Sequence, residues 1–179
     1  MLIDELLPAF HIQTKEEIAV TGTAGMIFNS IRDIDLSDSN LVTALFRVRG
    51  LPRSALCIDG LLALGFIELG ELPSREYVMG IVGQFWKPSG SLIRIAPEEF
   101  PSFSRVGYSK AAWNFSVQTV DSKRCRLETE TRVATYGGIA TALFRTYWLL
   151  IAPFSKMIRQ EMLELIKNNA EQGFDIESA

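Results

Sequence analysis

The run TYWLLIAPFSKMIRQEM, residues 146–162, restricts the folds open to this chain more than any other segment. It is nearly all apolar in its first half, carries Pro153 in its middle, and keeps a single hydrophobic phase. A bilayer-spanning helix needs about 20 mostly apolar residues. The uncharged stretch between Arg145 and Lys156 covers only Thr146 to Ser155, so no span is expected. Phe144, Tyr147, Trp148, Ile151, Phe154, Ile158, Met162, Leu165 and Ile166 recur at helical spacing and share one face. Arg145, Lys156, Arg159 and Lys167 fall on the other side. Because the stripe holds its phase across Pro153, the pattern predicts one helix with a kink; a chain break at Ala152 is the alternative. A proline costs ~3 kcal/mol inside a regular helix, which a kink wrapping the helix over a curved surface would offset. Gly137 and Gly138 mark the expected start and Gly173 the expected C-cap. Such a helix needs a broad apolar surface to lie on.

That surface is predicted upstream. FIELGEL (66–72), REYVMGIVGQFW (75–86) and SLIRI (91–95) are strand-like, separated by Pro73-Ser74 and Pro88-Ser89-Gly90. SKAAWNFSVQTV (109–120) and CRLETETRV (125–133) flank a hairpin turn. In the second, Arg126, Glu128, Glu130 and Arg132 point one way and Leu127, Thr129, Thr131 and Val133 the other. In the first, Trp113, Phe115 and Val117 form the bulky set, opposite Asn114, Ser116 and Gln118. The apolar sets align only across a loop with an odd number of residues; an even one would set Val117 against Glu128. The odd register is therefore expected.

HIQTKEEIAV (11–20) reads as a first strand, followed by helices over 23–34, capped by Thr23, and 37–50, with a Ser/Asp capping signal. A short helical segment is expected over 54–65. Helices and antiparallel strands that segregate in this way define an α+β domain with the sheet packed against a helix. At 179 residues one domain is expected over 1–179, with its core about 11–170. The formal charge of -3 leaves no basic footprint for nucleic acid. Two cysteines, Cys57 and Cys125, make no disulfide framework and fit a reducing cytoplasm. MLIDELLPAF carries Asp4 and Glu5 where an export signal needs basic residues.

This layout, with the stretches VGQFWKPSG, AAWNFSV, LETETRV and YWLLIAPFSKMIR, resembles the START/Bet v 1-like superfamily of helix-grip proteins, which includes polyketide cyclase-like and lipid-transfer members. The resemblance runs from about His11 to Ala170 and is similar to an uncharacterised bacterial branch. It implies a curved antiparallel sheet wrapped around a long kinked C-terminal helix, with short helices inserted after the first strand. The region from Ser37 to Gly65 is longer than the usual insert. The resemblance further implies a cavity between sheet and helix, lined by Met79, Ile81, Phe85, Trp113, Phe115, Thr129, Thr131, Phe144, Tyr147, Trp148 and Ile151. The two threonines would supply placed polar groups among apolar neighbours. Simple core packing of the same side chains is the plainer expectation.

Catalytic patterns are sparse. His11 is the lone histidine, so a multi-histidine metal site is excluded, and the cysteine spacing fits no zinc motif. His11 is a candidate general base or, more simply, a structural residue. The two glycines of GIVG (80–83) are expected to mark a bend in the sheet, and TGTAG (21–25) lacks the lysine of a phosphate loop. Glu98 and Glu99 are expected to open a short helix between Pro97 and Pro101. Glu128 and Glu130, flanked by Arg126 and Arg132, read as an exposed, self-compensating ladder. Lys110, Asn114, Arg145 and Tyr147 lie near the expected pocket in sequence, with Asn114 and Arg145 on its outward side.

Three function classes follow. The leading expectation is binding or carriage of a hydrophobic small molecule, lipid or polyketide-like, with no cofactor, metal or transmembrane segment. A cyclase or dehydratase acting on such a ligand is the alternative enzyme, with Tyr147 or His11 as its titratable group. An interaction protein without a ligand, such as a homodimer, is the third.

Overall fold

In the computed structural model the chain forms a five-stranded antiparallel sheet and a long C-terminal helix, an α+β helix-grip arrangement. The structure describes residues 1–48, 50, 52–87 and 89–178, with residue 48 and the last four of these by backbone alone. A short helix α1 (Leu2–Leu6) precedes β1 (Ile12–Thr21). Three helices follow: α2 (Ala24–Arg32), α3 (Asn40–Val48) and α4 (Ile58–Leu64). Strands β2 (Ile67–Leu72), β3 (Glu76–Gly83), β4 (Ser109–Thr119) and β5 (Arg124–Thr135) complete the sheet, in the order β1-β5-β4-β3-β2, and α5 (Gly138–Ser178) ends the fold.

The capping signals act as the sequence suggests. Thr23 accepts from Met26 N at the start of α2, and Ser39 Oγ accepts from Val42 N at the start of α3. A 3-10 turn occupies Pro97–Glu99, where the paired acids were expected to open a helix. The β4–β5 register pairs Val117 with Leu127 and Thr119 with Cys125. The number of residues between paired positions is therefore odd, and Trp113, Phe115 and Val117 share a face with Thr131, Thr129 and Leu127.

Pro153 does not break α5, which is helical from Gly138 to Ser178. Gly173 lies within it and is not a cap; its position would admit a side chain near Met26 at 3.5 Å, so nothing there forces the left-handed turn that ends a helix. The second half of α5, through Met162, Leu163, Ile166 and Ala170, closes the main core together with α2–α4 and the inner sheet face of Tyr77, Met79, Phe115, Val117 and Leu127.

Two further expectations fail. SLIRI forms no strand: only Ile93 bridges to Val82, through Ile93 N to Val82 O at 2.9 Å. The associated Pro88 lies outside the described residues. The ladder on β5 is exposed only at its start, where Arg126 is exposed and Glu128 half-buried. Glu130 is wholly buried and Arg132 nearly so, because α1 and the 84–107 segment cover the outer sheet face. Gly80 serves that covering, since a Cβ there would meet Leu69 and Phe100 at 2.7 Å; Gly83, on the other face, leaves room for the turn after β3, where a Cβ would meet Gly90 O at 2.7 Å.

Polar groups fasten α1 to this face. Glu76 accepts from Leu2 N (2.7 Å), Ile3 N (3.3 Å) and Asn114 Nδ2 (2.7 Å), while Asn114 Oδ1 accepts from Glu130 N (2.9 Å). Arg132 donates to Ile3 O (3.4 Å), Leu7 O (3.3 Å), Asp4 Oδ1 (2.6 Å) and Glu130, and stacks over Phe10. Burial raises the Glu130 pKa, but hydrogen bonds from Arg132, Gln13 and Lys15 outweigh it and hold the carboxyl below its ordinary range.

Candidate functional site

The face of the sheet opposite α1 carries the expected pocket residues, and register decides which ones meet. Met79 pairs with Trp113, Trp113 with Thr131, and Phe115 with Thr129. Trp113 Nε1 donates to Thr129 Oγ1 (2.7 Å), which donates in turn to Asn114 O (2.8 Å). The Trp113 ring tilts against Phe115 with centroids 5.0 Å apart. A second group gathers at the start of α5: Phe144 lies 6.2 Å from Phe85, 5.8 Å from Tyr147 and 5.9 Å from Trp148, the last pair stacked.

Burial separates the eleven candidates. Met79, Phe115, Thr129 and Phe144 are buried. Ile81, Phe85, Trp113, Thr131, Tyr147, Trp148 and Ile151 remain half-buried, although the sheet members point to the helix side. The helix-facing side chains near the first half of α5 thus stay partly open to solvent, whereas Met162, Leu163, Ile166 and Ala170 of the second half are sealed.

Sequence reasoning missed the polar groups at the boundary between these halves. Thr14 and Glu16 of β1 pair with Thr131 and Thr129 and so share the helix-facing side. Arg159 of α5 is buried, donates to Ser155 Oγ (2.7 Å), and comes no nearer than 4.0 Å to its counter-ion Glu16. Its Nε and Thr14 Oγ1 are buried without a hydrogen-bond partner. Burial draws the Arg159 guanidinium below its usual range, opposed by Glu16. The alternation of Ile12, Thr14, Glu16, Ile18 and Val20 was a usable signal for the first two residues, but the helical stripe placed Arg159 with the solvent-facing cations.

Other polar candidates lie elsewhere. His11 is exposed, and its Nδ1 accepts from Thr135 N (3.1 Å). Lys110 is buried on the outer face, donating to Phe100 O (2.8 Å) and Pro101 O (2.7 Å); burial lowers its pKa to about 8. Asn114 belongs to the α1 clamp, and Arg145 is exposed. Two surface depressions of about 350 Å³ each lie elsewhere, one around Ile18, Val120 and Cys125, the other around Arg32, Asp35 and Cys57; none of the eleven residues lines either. Among the described residues no helix is long and apolar enough to cross a membrane.

No family model and no curated protein matches the chain. Solved structures similar to it include a conserved protein from Geobacillus kaustophilus, at 10% identity and a TM-score of 0.38, covering 90% of this chain and 96% of that one. The Zhui aromatase/cyclase from Streptomyces sp. R1128 has 11% identity and a TM-score of 0.36, over 90% and 94% of the two chains. Human STARD10 has 10% identity and a TM-score of 0.29, over 86% and 62%. Likenesses this low carry no argument about activity or ligand.

Proposed function

We propose that the protein binds and carries a hydrophobic small molecule, lipid or polyketide-like in character, in the groove between the sheet and the first half of α5. The supporting observation is the half-burial of Trp113 and Thr131 on one wall and of Tyr147, Trp148 and Ile151 on the other. Side chains of this size between two packed layers are normally sealed, and one left half-buried forfeits part of the ~1.5–3 kcal/mol that full burial of a large apolar group gives. A bound apolar molecule recovers that energy. Arg159 and Thr14 give the groove the few placed polar groups typical of ligand sites.

The test is native mass spectrometry of the protein purified from its own host, followed by solvent extraction. A defined hydrophobic compound at near-stoichiometric occupancy is expected, released unaltered. Binding is checked in parallel by quenching of tryptophan emission on adding a long-chain lipid, with Trp113→Phe and Trp148→Phe reducing the signal. An empty protein whose emission does not respond to any such compound refutes the reading.

A further inference from the structure

The solvent-facing side of the same half-helix is apolar. Ile139, Leu143, Leu149, Leu150, Phe154 and Met157 are 40% to 81% exposed. All of these except Leu149 fall within an arc of about 60° on a helical projection, along about 27 Å of axis. Exposed Ala142, Thr146 and Pro153 lie between them and Leu149. Beside the start of the helix, Val106 is 77% exposed, and its Cγ1 would lie 3.0 Å from a Cβ at Gly137, so the apolar surface continues onto that loop. Six side chains exposed to this degree make a patch on the order of 600 Å², the upper end of what a monomer leaves in water.

Charge selects the occupant. Although the chain is acidic overall, no acidic residue occurs between Glu130 and Glu161. The exposed charges on this half of α5 are Arg145 and Lys156, both on one flank of the stripe. A second copy packed antiparallel on this face about a two-fold axis would bring that flank against itself and set these cations together. An anionic surface meets them favourably. The acids Glu161, Glu164 and Glu171 begin only where α5 turns into the core. We propose that the first half of α5 lies on an anionic lipid surface, its stripe at the acyl boundary and Arg145 and Lys156 at the headgroups. An apolar face bordered by cations, on a helix too polar to span, is the pattern of interfacial binding. The inference does not depend on the groove holding a ligand.

The full chain is sedimented with vesicles of phosphatidylcholine alone and of phosphatidylcholine mixed with phosphatidylglycerol, at low and high salt. Binding to the anionic vesicles, weakened by salt, is expected. Arg145→Gln and Lys156→Gln should each weaken it about five-fold. Leu150→Glu and Phe154→Glu should weaken it by at least about ten-fold, with thermal midpoints unchanged because both sites are exposed. Absence of binding to either vesicle overturns the proposal, as does equal binding to both with no salt effect. A dimer in sedimentation velocity that Leu150→Glu dissociates, without vesicle binding, assigns the stripe to self-association and overturns it too.

Discussion

Replacing Arg132 by methionine tests whether the charged ladder on β5 is the buried clamp for α1 or a solvated surface pattern. The wild-type guanidinium reaches four acceptors, Glu130, Asp4 and the carbonyls of Ile3 and Leu7. Methionine keeps the packing under Phe10 and removes all of them. Stripping one partner from a buried ion pair costs about 3–5 kcal/mol, because the other charge stays buried. Here Glu130 retains Gln13 Nε2 at 2.7 Å and an ion pair with Lys15 Nζ at 3.0 Å, so the loss should fall near the lower end, about 3 kcal/mol. With a urea slope of about 2 kcal/mol/M, the midpoint should drop by about 1.5 M. The double variant Glu130→Gln/Arg132→Met should lose less than the sum of the singles by at least about 1 kcal/mol, since each single strands the other's partner. An Arg132→Met midpoint within about 0.5 M of wild type, or strict additivity, would refute the buried-clamp account. Acid adds a second check with a definite sign. The Glu130 carboxyl is held below its ordinary range, so its contribution is present above the unfolded value and lost as pH falls through the folded one. Arg132→Met should flatten that acid limb.

Two further outcomes follow from single residues. Lys110 has a folded pKa of about 8 against 10.5 for the free side chain, so between those values the unfolded chain binds more protons and stability should rise with pH. The rise should total roughly 3 kcal/mol and vanish in Lys110→Met, and denaturant titrations at pH 7.5, 9 and 10.5 would show it. Pro153 is exposed inside an unbroken helix, so Pro153→Ala should restore an internal hydrogen bond and add about 1–3 kcal/mol. A loss of stability, or of ligand affinity with stability gained, would show in paired calorimetry that the proline shapes the groove.

Periodicity carried most of the architecture. The alternation in 125–133 and the bulky set at 113, 115 and 117 were enough to pick the parity of the β4–β5 register, because a one-residue slip would set Glu128 against Val117. The stripe from Phe144 to Ile166 predicted a single helix through Pro153. Burial of the opposite sheet face was not legible. Alternating charge on β5 looks the same whether water or α1 covers it, and α1 is only five residues long with no periodicity to read. The helical stripe also misassigned a face. Phe154 belongs by spacing with Tyr147 and Ile158 but is 47% exposed, because the first half of α5 is apolar around most of its circumference and spacing alone cannot say which side meets the sheet.

Arg159 is costly to the fold where it stands. It is buried, its Nε lacks a partner, and Glu16 at 4.0 Å offers little compensation. A side chain kept only for folding would be better replaced by an apolar one. Arg159→Met leaves Glu16 near the surface, where Gln160 still reaches it at 3.5 Å, so no stranded charge offsets the gain. The empty protein should therefore become more stable by about 1 kcal/mol. If the guanidinium anchors the polar end of a ligand, the same change should weaken binding by about ten-fold, equivalent to one lost charged hydrogen bond. Thermal unfolding without ligand and tryptophan quenching with it separate the two effects. Gain in one and loss in the other is the trade-off of a residue held for function. A variant that loses stability makes Arg159 a structural strut, and a variant that keeps full affinity removes it from the site.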